Sequence, residues 1–300
     1  MRGTDILRDI ETARTVRNPS GLKHDKAEEA VSHLGGSLAN GRSMSTRFAV
    51  VTTCHETGWQ QYGRRMVDTF DQFWSADVPL YLYAEHFQPD HPRPVVCRLP
   101  EWLTAFKARH SENSRAHGLI DGSYDFHHDC VRFAHKVAAV TDAALILGTD
   151  VLIWADADIV THAPVETNWL TSLFPSGPYV AWLEREGHYP ECGFYMLRCS
   201  HPAHREIMTR WRQLYETDAV FGLAQTHDSH VLHHLILEAE REGLITTHSL
   251  SGKARQHRHP LINGPLGTRL DHLKGPRKVH GRSHNNDLMT PRLEDYWCNR

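Results

Sequence analysis

The chain has 300 residues, 40% hydrophobic and 23% charged, with a formal net charge of -3 when histidine is neutral. This suffices for one large α/β domain or two small ones, and the small net charge argues against a protein whose main task is to coat nucleic acid. No run reaches the roughly 18 consecutive apolar residues that cross a bilayer, and residues 1–30 hold no apolar core of a secretory signal, so the default expectation is a cytoplasmic location.

Residues 1–45 are polar and end in HLGGSLANGRSMS, which predicts an N-terminal extension with helices at 4–14 and 24–33; residues 46–300 form the main domain. RFAVVTTC at 47–54 predicts a buried strand, followed by a helix near 60–74 and a second strand, PLYLYAEHF, at 79–87. A strand–helix–strand opening marks an α/β layer. After a polar stretch with short helical possibilities at 101–128, residues 128–144 set Phe133, Ala134, Val137, Val140 and Ala144 on one helical stripe, with Arg132 and Lys136 one turn apart on another. Gly148 and Asp150 divide ALILGTDVLIWADAD into a helix end, a turn and a strand at 151–155. Its carboxyl end is where an open α/β sheet binds ligands. Strands follow at 179–184 and 193–198, and helices at 202–217 and 229–242. From 248 onward glycine, proline, histidine and arginine dominate without a periodic element, a segment that is either disordered or folded back over the site. Neither an internal repeat nor a G-x-G-x-x-G fingerprint occurs, which weakens a dehydrogenase reading.

Six widely separated cysteines make no disulfide scaffold and no C-x2-C pair, so reduced, buried thiols are expected. The 24 histidines make net charge sensitive to mild acid and dilute the meaning of any one of them. Lysine and arginine outnumber Asp271, Asp287, Glu294 and Asp295 between Lys253 and Arg300, a basic balance suited to polyphosphate or to a solvated tail.

Chemistry concentrates at Asp156 and Asp158, which flank Ala157 directly after the apolar strand LIWA. On a continuing strand they share a face, and in a tight turn they converge; either way they offer hard oxygen ligands to Mg²⁺ or Mn²⁺. The bland reading is that they end the strand or cap the next turn. The segments around the pair, taken in order, are Arg132 and Lys136 on the preceding helix, WADAD, CGFYML at 192–197, HDSHVL at 227–232, and VHGRS with His280. As an ordered set over about residues 47–284 they resemble the A-type glycosyltransferases, most closely the retaining family that includes glycogenin and lipopolysaccharide galactosyltransferases. Cys192, Ser229 and the missing K-P-W ending depart from the family pattern.

The resemblance implies a single Rossmann-like nucleotide-sugar-binding α/β domain with a mixed central sheet flanked by helices. It implies Mn²⁺ or Mg²⁺ held by Asp156, Asp158 and His280, with Asp156 also near the ribose, and a UDP-hexose donor. Thr53, His55, Tyr62 and Glu85 would hold base and ribose, while Arg132, Lys278 and Arg282 would contact phosphate. Asp228, Lys136 and Arg132 are the candidate catalytic residues. The acceptor is an unidentified hydroxyl, a glycan among the options, with nucleic acid the weaker one. Retention at the anomeric carbon is implied; inversion with Asp228 as general base stays open, as does a metal-dependent nucleotidyltransferase or phosphohydrolase. His227, His230 and His234 also invite a zinc reading, though clustering by chance is expected among so many histidines.

Overall fold

A computed structural model of the chain describes residues 46–298. The expected helices at 4–14 and 24–33 lie outside the described residues. β1 (Phe48–His55) leads through α1 (Glu56–Gly58), a π-helical turn at Trp59–Gly63 and α2 (Arg64–Phe73) to β2 (Leu80–Glu85) and β3 (Val95–Cys97). Next come α3 (Glu101–Arg109), the small hairpin of β4 (Leu119–Ile120) and β5 (Ser123–Tyr124), α4 (Cys130–Ile146), β6 (Val151–Ala155) and β7 (Ile159–Thr161). The chain continues through α5 (Thr167–Leu173), β8 (Val180–Arg185), β9 (His188–Arg198), α6 (His204–Glu216) and α7 (Asp228–Arg241). Short pieces complete it: β10 (Thr247–Ser249), α8 (Pro260–Asn263), β11 (Leu270–His272), α9 (Arg277–His280) and α10 (Asp295–Cys298).

Seven strands form one mixed sheet in the order β10-β8-β9-β6-β1-β2-β3. β9 runs antiparallel to β6 and β8, and the remaining pairs are parallel. Side chains alternate across the sheet with the period of two that a strand imposes. Ala49, Val51, Leu152 and Trp154 enter one core with residues of α3, α4, α6 and α7; Phe48, Val50, Val151, Ile153 and Ala155 enter another with residues of α2, α5 and α8. Helices therefore cover both faces, which is why the strands read as nearly continuous apolar runs. Phe70 and Phe106, both fully buried, each contribute about 1.5–3 kcal/mol by leaving water, so the two layers and not one contact hold the sheet. Among the described residues no helix is long and apolar enough to cross a membrane.

Two expectations change in detail. The helix expected at 60–74 opens with the π turn, a wider coil that carries Tyr62, and becomes α-helical only at Arg64. The strand expected at 193–198 starts five residues earlier, because His188 to Cys192 extend it in a hairpin with β8. The segment after 248 folds back on the body: β11 pairs antiparallel with β7, setting His272 opposite Ile159.

Candidate functional site

The chain moves from β1 outward to β2 and β3, then returns through α4 to β6 on the other side of β1. Strand order reverses there, and a crevice opens at the carboxyl ends of the parallel strands. Thr53 and His55 from β1, Tyr62 from the π turn, Glu85 from the end of β2, Arg132 and Lys136 from α4, Asp156, Asp158, Asp228 and Lys278 all line this cleft. The structure thus brings together ten of the residues singled out from the sequence.

Strand alternation puts Asp156 on the face of Trp154, whose indole Nε1 donates to Asp156 Oδ1 at 2.7 Å. The Asp156 amide donates to the Gly193 carbonyl at 2.8 Å, holding the strand end to β9. Asp158 follows in the turn to β7, and the β7–β11 pairing carries His272 to it: Nε2 lies 3.1 Å from Asp158 Oδ1 and 3.7 Å from Asp156 Oδ2. These three residues each offer a ligand atom, all within 4.8 Å of one another, and could hold a metal ion. Two carboxylates and one imidazole suit Mg²⁺ or Mn²⁺. The fit is supported by Asp158 Oδ1, which is buried yet accepts no hydrogen bond of acceptable geometry. A cation would satisfy it.

Two cationic side chains, His272 and Lys278, stand beside Asp158. Lys278 Nζ stands 2.8 Å from Oδ2. Burial works against ionisation of Asp158, but His272 and Lys278 outweigh it and hold the carboxyl below its usual range. Burial likewise disfavours the His272 imidazolium, and Asp158 and Glu191 overcome it, raising its pKa to about 10.

Lys136 is buried, although it lies on a different face of α4 from the apolar stripe. Its ammonium reaches Asp156 Oδ1 at 3.0 Å, Asp228 Oδ2 at 2.6 Å and the Cys192 carbonyl at 2.5 Å, and sits 4.7 Å from the Trp154 ring centroid. Asp228 opens α7, where the helix dipole favours a carboxylate. Burial tends to raise its pKa, yet Lys136 and His227 hold it low.

On the β2 side, Thr53 Oγ1 donates to the Tyr83 carbonyl at 2.7 Å, with Glu85 Oε1 at 3.4 Å. Glu85 also lies 3.2 Å from His135 Nδ1. Burial raises the Glu85 pKa and lowers that of His135 to about 3, so the imidazole is neutral. Tyr62 carries the Lys278 ammonium 4.3 Å from its ring centroid, and Arg132 NH1 donates to the Tyr124 hydroxyl at 3.2 Å. His55 uses Nδ1 to accept from the Gly58 amide at 3.1 Å, capping α1.

Two predicted residues stand elsewhere. His280 is exposed on α9 with its ring against His284, 5.6 Å between centroids, and is not in the group around the aspartates. The imidazole at the aspartates is His272, because β11 and not α9 pairs with the strand that leaves Asp158. Arg282 packs its guanidinium 4.6 Å from the Tyr296 ring centroid, and is absent from the cleft lining. Sequence reasoning also missed Glu191, buried behind His272, whose Oε1 accepts from Nδ1 at 2.8 Å. The histidine-rich run divides its contacts: His227 Nε2 faces Gln225 at 2.9 Å and His234 faces Glu238 at 3.2 Å, and no metal-ligating group forms from it among the described residues.

No protein-family model and no curated protein sequence matches the chain. Among solved structures it is similar to mouse xyloside xylosyltransferase 1 in its apo form, with 9% identity and a TM-score of 0.43, over 68% of this chain and 85% of that one.

Proposed function

We propose that the chain is a metal-dependent glycosyltransferase of the A-type nucleotide-sugar fold, transferring a hexose from a UDP-sugar to a hydroxyl acceptor with retention. The observation that carries this reading is the Asp156, Asp158 and His272 group at the end of β6, opening on a cleft with cationic and aromatic walls. A divalent ion there would neutralise the negative charge that develops on a departing diphosphate. Lys278 and Arg132 are suited to the phosphates, Tyr62 to stacking on the base, and Thr53 and Glu85 to ribose hydroxyls.

Asp228 is better suited to positioning the sugar and stabilising positive charge at the anomeric carbon than to removing a proton. Its ion pair with Lys136 and its lowered pKa make it a weak base near neutrality. That electrostatic setting favours retention over inversion.

The test is a screen of UDP-, GDP- and TDP-sugars for donor hydrolysis and transfer, with and without chelator, in wild type, His272→Ala and His280→Ala. Metal-dependent use of a UDP-hexose, lost in His272→Ala and kept in His280→Ala, is expected. Exclusive use of guanosine- or thymidine-linked donors, or a β-linked product from an α-linked donor, overturns the corresponding part of the assignment.

A further inference from the structure

Glu191 stands on β9 behind His272, on the side of the imidazole away from Asp158. Only 6% of it is exposed, and a carboxylate so buried is costly unless hydrogen bonds and charges compensate it. Oε1 accepts from His272 Nδ1 at 2.8 Å; Oε2 faces Lys274 Nζ at 2.8 Å and His259 Nδ1 at 3.9 Å. The same neighbours fix the His272 backbone, whose carbonyl lies 3.1 Å from His259 Nε2 and accepts from the Lys274 amide at 2.9 Å. His272 is therefore gripped at its ring and at its main chain.

A neutral imidazole carries one N–H and one lone pair, and the partner of one nitrogen decides the role of the other. A carboxylate can only accept, so Glu191 keeps the proton on Nδ1. When a metal ion displaces the proton on Nε2, the lone pair it frees would point toward Asp156 and Asp158.

We propose that Glu191 is the positioning residue of the metal centre: it selects the His272 tautomer that presents Nε2 and places a buried negative charge behind the ligand. This inference rests on the reading of Asp156, Asp158 and His272 as metal ligands. A carboxylate behind a ligating histidine raises its basicity and fixes its ring, and losing such a partner commonly weakens metal binding ~10–100-fold.

The experiment titrates the purified full-length chain with Mn²⁺ alone, without nucleotide, in wild type, Glu191→Gln, Glu191→Asp, His272→Ala and the Glu191→Gln/His272→Ala pair. Glu191→Gln keeps the shape without the charge. Glu191→Asp keeps the charge but falls short of Nδ1, and it serves should the glutamine variant fail to fold. Each single Glu191 variant is expected to bind Mn²⁺ ~10–100-fold more weakly than wild type, while Glu191→Gln has no further effect once His272 is alanine. That loss of effect would not follow from a merely structural role. Wild-type affinity in either soluble Glu191 variant overturns the inference alone. Equal Mn²⁺ affinity in wild type and His272→Ala overturns the metal-centre reading and the inference together.

Discussion

Gly193 lies against His272, and a methyl group on its α-carbon would fall 2.5 Å from the imidazole Cε1 and 2.7 Å from Nδ1. The ring cannot swing aside freely, because Glu191 holds Nδ1 and β7 holds the strand. Gly193→Ala should therefore displace the imidazole, lower Mn²⁺ affinity at least about tenfold and cost about 1–3 kcal/mol of stability from overpacking. Mn²⁺ titration and urea unfolding measure the two effects. Wild-type values for both would contradict the proposed position of His272.

Removing the charge of Lys136 leaves Asp156 and Asp228 facing each other across a buried gap. Lys136→Met should destabilise the fold by about 3–5 kcal/mol, the usual scale for stranding a buried charge. Adding Asp228→Asn should recover part of the loss. A double-mutant cycle by chemical denaturation checks this coupling, and purely additive effects would rule it out.

Lys278 lies against Asp158, where it would compete with a metal ion, and also faces the cleft. Lys278→Met should leave Mn²⁺ affinity equal or tighter, while UDP affinity in the presence of Mn²⁺ falls ~10-fold through loss of a charge-assisted contact. Calorimetric titration with Mn²⁺ and then UDP separates the two. Weaker Mn²⁺ binding in the variant would show that Lys278 supports the metal centre.

Metal affinity should rise with pH. Asp158 and Glu191 raise the His272 pKa to about 10 and so favour its charged form, whereas the ring must be neutral to ligate; each bound ion is therefore expected to expel one proton. Asp158 and Glu191, held low, stay ionised from pH 6 to 8 and add nothing to the slope. The association constant for Mn²⁺ should climb roughly tenfold per pH unit across that range. Proton release measured in two buffers of different ionisation enthalpy provides the check, and zero release would contradict a charged His272 in the metal-free site.

Fold stability should decline in mild acid. Burial lowers His162 to about 4 and His135 to about 3, against an ordinary value of 6.5, so the unfolded chain binds these protons first. The stabilisation is present above pH 6.5 and is lost progressively as pH falls through 6.5 toward 4 and 3. A drop in Tm of roughly 10 °C between pH 6.5 and 4.5 is expected. His162→Phe, which can keep the stack on Tyr296, should flatten the curve. An unchanged slope in that variant would remove His162 from the account.

The parts of this site carried by the central sheet were legible in the sequence. β6 was visible because an apolar run stops at Asp156, and Lys136 because its spacing from Arg132 set both at one end of α4. His272 was not visible for a physical reason: a three-residue strand has no period to read, and its place is fixed by pairing with a strand distant in sequence. With 24 histidines in the chain, residue type alone could not select it over His280. Glu191 was hidden similarly, since in sequence it is one polar residue beside a strand, and only tertiary contact with His272 and Lys274 distinguishes it.

The meeting of β7 and β11 ties the site to the order in which the polypeptide leaves the ribosome. A nascent chain that has not passed residue 270 already has the strands and Asp158, but neither His272 nor Lys278 to balance that carboxylate. Lys136 on α4 already stands beside Asp156, so it is Asp158 that waits for the late strand. Synthesis of β11 then brings the His272 imidazole to Asp158, so a product terminated before it would lack both that ring and the Lys278 ammonium beside the carboxylate.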